Sequence, residues 1–180
     1  MDTQYLQTMF SLNGKVIAVT GGGGVLCAAI SKGLAKLGAR LAILDLSPEG
    51  AQRVADDITT SGGEAMAVVC NVLDKSSIEA AAQKIIETFG RVDILINGAG
   101  GNKKQATTSA ELSFFEIPAD AVQWVFNLNI IGTFLPTQVF GKFMVEQGEG
   151  NILNISSMNS FRPLTRVSAY SAAKAGVSNF

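Results

Sequence analysis

The chain has 180 residues, 47% of them hydrophobic and 16% charged, with a net charge of −1 at neutral pH. That suffices for one domain with a sizeable core, and the balanced charge argues against nucleic acid or an anionic membrane surface as a partner. With no histidine and only two cysteines, Cys27 and Cys70, the commonest general base is missing and neither a zinc site nor a disulfide framework is expected.

The opening stretch MDTQYLQTMFSLNGK lacks a basic segment followed by an apolar one, so no secretory signal is read there. No apolar run is long enough to span a bilayer. A reducing, cytoplasmic setting is the expectation.

In chain order, KVIAVT (15–20) is a β-branched run that ends on glycines, as a buried strand does. VLCAAISKGLAKLG (25–38) has apolar residues at helical spacing and closes at Gly38. RLAILD (40–45) predicts a second strand. SPEGAQRVADDITTSGG (47–63) opens with Ser47 as N-cap and Pro48 at the first helical position, then ends on two glycines. EAMAVVCNV (64–72) is a third strand, KSSIEAAAQKIIETFG (75–90) a third amphipathic helix and VDILINGAG (92–100) a fourth strand. Residues 101–118 read as a polar, irregular loop and 119–147 as one long helix. NILNIS (151–156) is a fifth strand, and a last helix starts near Ser168.

Strands alternating with helices, the strands apolar throughout, predict βαβ units: an α/β, doubly wound parallel sheet of the Rossmann type, order 3-2-1-4-5, in a single domain over 1–180. A dinucleotide fold of this type has six strands. The sheet is therefore expected to be C-terminally incomplete, with the fifth strand an exposed apolar edge. A fragment, an interrupted reading frame, or the ordered part of a longer protein would each produce this.

Two features carry chemistry. VTGGGGVLCAAI joins the first strand to the first helix. A glycine turn there lets backbone approach a pyrophosphate, held by the helix N-terminus. Asp45, at the end of the second strand, would accept hydrogen bonds from a ribose hydroxyl and repel a 2′-phosphate, which favours NAD. A mere tight turn and a solvated acid are the plainer alternatives. Tyr170 and Lys174 are four apart in the last helix and share a face. An ammonium beside a phenol favours the phenolate, so the pair could move a proton near neutral pH. A packed ring with a snorkelling lysine is the alternative.

VTGGGGVLC, LINGAG, NISS and YSAAK, in this order, resemble the short-chain dehydrogenases/reductases, from about Leu12 to Phe180. The family's TGxxxGxG has glycines at positions 25 and 27, where this sequence has Val25 and Cys27. Its NNAG reads Asn97-Gly98-Ala99-Gly100 here, and its acid near the adenine is replaced by Asn71 and Val72. TGGGGVLC, NGAGGN and SSMNSFRPLTRVSAYSAAKA further resemble a bacterial branch of this family, the D-mannonate oxidoreductases (fructuronate reductases) of the short-chain type.

The resemblance implies an NAD-dependent oxidoreductase acting on the carbonyl or secondary alcohol of a small molecule, a sugar acid by the narrower likeness. It implies Asn129, Ser157, Tyr170 and Lys174 as catalytic. Gly21, Gly24, Val25, Leu26, Asp45, Asn71, Val72, Asn97, Gly98, Ala99, Tyr170 and Lys174 would bind the cofactor, with no metal. Ser157, thirteen residues before Tyr170, would hold the reacting oxygen, and Asn129 would organise water behind Lys174. Asparagine is a poor helix former, so something should compensate at Asn129; Asn127 and Asn151 read as plain surface residues. A homodimer or homotetramer is implied.

Arg162 and Arg166, or Lys103 and Lys104, could clamp a substrate carboxylate, or be solvated surface cations. Cys27 at a helix N-terminus could be a reactive thiol but reads better as a small residue in a glycine-like slot, and Cys70 as core. Trp124 and the phenylalanines of the long helix are expected in the core or at a subunit contact. The competing readings are a truncated, non-catalytic nucleotide-binding fragment and another Rossmann user such as a methyltransferase.

Overall fold

Every apolar run predicted as a strand forms one. The computed structural model describes residues 8–180; the first seven residues of the opening stretch, part of the reading that no secretory signal is present, lie outside the described residues. Strands β1 (Val16–Thr20), β2 (Arg40–Asp45), β3 (Glu64–Val69), β4 (Ile94–Asn97) and β5 (Asn151–Asn154) make one parallel sheet in the order β3-β2-β1-β4-β5. A one-residue slip of a strand would exchange the side chains on its two faces.

Val16 and Ala18 of β1 face a cluster built with Ile78, Ile85 and Phe89 of helix α3 (Lys75–Phe89) and Phe140 of helix α5 (Gly132–Gln147). Ile17 and Val19 face the opposite way, toward Cys27 and Ala28 of helix α1 (Val25–Lys36) and Val54 and Ile58 of helix α2 (Pro48–Thr60). Each fully buried Ile, Leu or Phe contributes about 1.5–3 kcal/mol of apolar transfer free energy, before the entropy of ordering. β1 is buried along its whole length, so the central strand is the most strongly determined.

The helices start and stop where their caps dictate. Ser47 Oγ accepts from Gly50 N at 3.0 Å and opens α2; Asp74 Oδ1 accepts from Ser76 N at 2.9 Å and opens α3. Gly90 and Gly148 close α3 and α5 in left-handed conformations.

Residues 119–147 depart from the expectation of one long helix. Helix α4 (Ala119–Phe126) is separated from α5 by a π-helical turn over Asn127–Ile131. The preceding loop holds two short 3-10 turns, Lys104–Ala106 and Phe114–Glu116. Helix α6 (Ser168–Asn179) packs through Ala169 and Ala173 against Ala121 and Val125 of α4 and Ala106 of the first 3-10 turn. Of the phenylalanines in this region, Phe140 is core, whereas Phe126 and Phe134 are exposed. β5 is an edge strand with Ile152 and Leu153 exposed, as anticipated. Among the described residues, no helix is long and apolar enough to cross a membrane.

Candidate active site

Parallel strands bring their C-terminal ends to one rim, and a cleft of about 590 Å³ runs across it. The glycine turn forms its floor. Gly21 has φ +64°, and a side chain there would sit 2.9 Å from the backbone N and Cα of Ala99, so the turn and the loop after β4 meet backbone to backbone. Gly24 starts α1 without a side-chain cap, leaving the first amides of a 12-residue helix free of any side-chain acceptor at the cleft. Asp45 ends β2 at the same place. Its Oδ2 accepts from Gly23 N and its Oδ1 from Ser47 N, each at 2.9 Å. The carboxylate is thereby fixed, with acceptor capacity left on both oxygens.

Cys27 lies under the turn and is 3% exposed. Burial, helped by the Asp45 charge, pushes its thiol above the ordinary value, and Lys174 only partly opposes this. A neutral, buried thiol is not the reactive thiolate of an activated cysteine. A side chain on Gly98 would collide with Cys27 Sγ. The cysteine at a family glycine position and the glycine at a family asparagine position therefore form one packing unit. Cys70 is core, its thiol raised by burial to about 11.

Tyr170 and Lys174 of α6 both line the cleft. Lys174 is 6% exposed; its Nζ donates to Ile155 O at 2.7 Å and lies 5.9 Å from the Tyr170 ring centre. Burial holds the amine below the usual lysine range, offset in part by Cys27. A side chain on Gly100 would come within 2.8 Å of Asn129 Oδ1 and 3.2 Å of Lys174 Nζ, so a glycine there admits both groups.

Asn129 sits in the π turn and is fully buried. Its Nδ2 donates to Gly101 O and Val125 O, each at 2.7 Å, and its Oδ1 accepts from Gly101 N at 3.2 Å. These bonds compensate for its poor helix propensity and pin the loop after β4 to the helix.

Ser157 Oγ caps the 3-10 turn Met158–Ser160, accepting from Asn159 N at 3.2 Å. Its neighbour Ser156 lines the cleft, where Ser157 does not. Ser156 Oγ bonds to Ser160 Oγ at 2.9 Å, to Lys174 O at 3.3 Å and to Ser178 Oγ. This hydroxyl cluster ties the end of β5 to α6 and so fixes Ser157 relative to Tyr170.

All the residues expected around a cofactor line the cleft except Asn97. Asn97 is buried, and its Nδ2 donates to Thr137 Oγ1 and Asn154 Oδ1, each at 2.9 Å, bracing β4 against α5 and β5. Arg162 and Arg166 are exposed and lie outside the lining. Arg166 has φ +75°, and its carbonyl accepts from Thr108 N at 2.9 Å, so it serves the loop through its backbone. Trp124, expected in the core or at a subunit contact, is not core: it forms a wall of the cleft and is 40% exposed. Its direction follows from the packing of α4 on α6, for which local sequence has no signal. Ser156 carries the same sequence signal as Ser157, a hydroxyl at a strand end.

The short chain dehydrogenase family profile matches residues 15–180. The protein belongs to the short-chain dehydrogenases. It is 46% identical, over 99% of its length and 66% of the relative's, to an uncharacterized oxidoreductase of Haemophilus influenzae. It is 45% identical, over 94% of its length and 64% of the relative's, to the uncharacterized oxidoreductase UxuB of Bacillus subtilis. A D-threitol dehydrogenase of Mycolicibacterium smegmatis is 38% identical over 93% of this sequence and 62% of its own. Among solved structures, a Haemophilus influenzae protein provisionally named D-mannonate oxidoreductase, crystallised with bound NAD, superposes with a TM-score of 0.92 at 47% identity, covering 97% of this protein and 66% of that one. The chain spans about two thirds of the length of the curated relatives it matches.

Proposed function

We propose that the protein binds NAD(H) in the cleft and interconverts a ketone and a secondary alcohol of a sugar acid. The observation that carries this reading is one cavity lined by the glycine turn, Asp45, Tyr170 and Lys174 together. The NAD bound to the Haemophilus protein and that protein's provisional name support the cofactor and the substrate class.

The residues fit a dinucleotide. The uncapped start of α1 suits a pyrophosphate, and the fixed Asp45 carboxylate suits an adenine-ribose diol while repelling a 2′-phosphate. The nicotinamide supplies hydride donor and acceptor chemistry. In reduction, Tyr170 holds the carbonyl oxygen and gives it the phenolic proton as the oxygen becomes an alcohol; Ser157, which caps the neighbouring turn outside the cleft lining, joins that oxygen only by turning its hydroxyl inward. Lys174 stands beside the phenol and balances the negative charge left on it, while Asn129 holds the Gly101 loop in place. Oxidation runs through the same groups in reverse.

The test is a panel of keto-sugar acids with NADH, read as loss of nicotinamide absorbance. Tyr170→Phe should cut turnover by about 10²–10⁴-fold while NADH still binds. Turnover with NADPH alone would overturn the Asp45 reading, and an active Tyr170→Phe variant would remove the proposed proton donor.

A further inference from the structure

Charge is distributed unevenly along the cleft. Among the described residues, Asp45, beside the glycine turn, is the one carboxylate in the lining, and Lys174 the one lysine. At the Tyr170 end, Gly101, Trp124 and Leu128 form the wall. A second cation stands against that wall: Lys103 Nζ lies 5.2 Å from the centre of the Trp124 ring. Tyr170 belongs to the same small cluster as Val125, next to Trp124, and Ala106, three residues after Lys103. Lys103 is not itself a lining residue, but its ammonium rests on Trp124, which is, on the segment next to the cluster that holds Tyr170.

Lys103 has no carboxylate partner among the described residues. The acids of its own loop are engaged elsewhere: Glu111 accepts from Ser109 Oγ at 2.8 Å and Glu116 from Ser113 Oγ at 2.7 Å. An aromatic face steadies an ammonium without neutralising it. The charge therefore remains available to a ligand, on a flexible stem half-shielded from water. Lys104, one residue on, is exposed and faces a separate shallow cavity with Glu111.

We infer that Lys103, braced on Trp124, determines substrate charge: it selects a carboxylate-bearing substrate over the neutral polyol of the same length. This rests on the cleft being the nucleotide and substrate site proposed above. Lys103 is a specificity residue here, and no proton passes through it.

Trp124 is the sole tryptophan of the chain, so its emission reports directly on this wall. With NADH bound, so that an alcohol cannot turn over, the protein is titrated with D-gluconate and with D-sorbitol. Gluconate should act at concentrations about tenfold lower, the worth of one partly screened ion pair. The preference should shrink with added salt, vanish in Lys103→Met and persist in Lys103→Arg, with NADH affinity unchanged in both variants. Equal titrations in the parent protein, or a preference that survives in Lys103→Met, overturn the inference while leaving the dinucleotide reading intact. Failure of NADH itself to perturb Trp124 overturns the dinucleotide reading and this inference with it.

Discussion

At the scale of single residues, the cleft depends on side chains that are absent as much as on those present. Gly21, Gly98 and Gly100 each stand where a side chain would strike backbone, thiol or the Asn129–Lys174 pair. Gly98 makes the clearest experiment, because part of its obstacle is another side chain. Gly98→Ala should destabilise the fold by about 1–3 kcal/mol through overpacking against Cys27. Adding Cys27→Ala should restore part of that loss, with a coupling of about 0.5–3 kcal/mol between the two sites. Recovery is partial because Thr20 O also lies 2.8 Å from the added carbon. Urea denaturation of the single and double variants measures the coupling; strict additivity would show that the two positions are not one packing unit.

At the scale of elements, the π turn between α4 and α5 does the positioning. It places Asn129 so that one side chain serves both backbone groups of Gly101 and the carbonyl of Val125. Asn129→Ala strands those groups, at about 1–3 kcal/mol for each that neither water nor protein satisfies. The same change at exposed Asn127 should cost no more than about 0.5 kcal/mol. Amide exchange locates the effect: the Gly101 amide should lose protection in Asn129→Ala and keep it in Asn127→Ala. If Gly101 stays protected in both, Asn129 does not hold the loop. The same element marks the limit of what is legible in sequence. Strands, sheet order and caps can be read because β1 is apolar from Val16 to Val19 and β2 from Leu41 to Leu44, and because Ser47, Gly90 and Gly148 are local signals. Residues 119–147 carry helical character with nothing to announce a wider turn, so one long helix is what local pattern predicts. Asn127, Asn129, Gly132 and Pro136 hint at an interruption, but none of them specifies a π turn. Trp124 escapes the sequence for a related reason: which way it faces is set by how α4 docks on α6.

At the scale of the molecule, the two ends of the sheet divide the work. The C-terminal rim carries the cleft, while the N-terminal rim is fastened by Asp93, which is 4% exposed. Its Oδ2 accepts from Val16 N at 2.8 Å, and its carboxylate pairs with Arg91 at 2.6 Å and Lys15 at 3.2 Å; Glu149 joins the same two cations. Burial alone would raise the Asp93 pKa, but the Val16 amide, Arg91 and Lys15 outweigh it and hold the group below the usual carboxylate range. A depressed acid stabilises the fold at pH values above its ordinary value of about 3.9, and that contribution disappears as pH falls through the lower, folded value. Asp93→Ala should therefore unfold more easily than the parent near neutrality. Lys15 and Arg91 are 43% and 40% exposed and can rehydrate, so the loss is set mainly by the stranded Val16 amide. About 1–3 kcal/mol is expected, less than the penalty of isolating a fully buried charge. Denaturation of both proteins from about pH 7 to about pH 3 tests the sign: the gap should hold steady to about pH 4 and narrow below it, while NADH binding measured well below the unfolding midpoint stays the same. A gap that widens on acidification would mean that Asp93 is protonated in the fold, and that the N-terminal rim is held by packing instead of by charge.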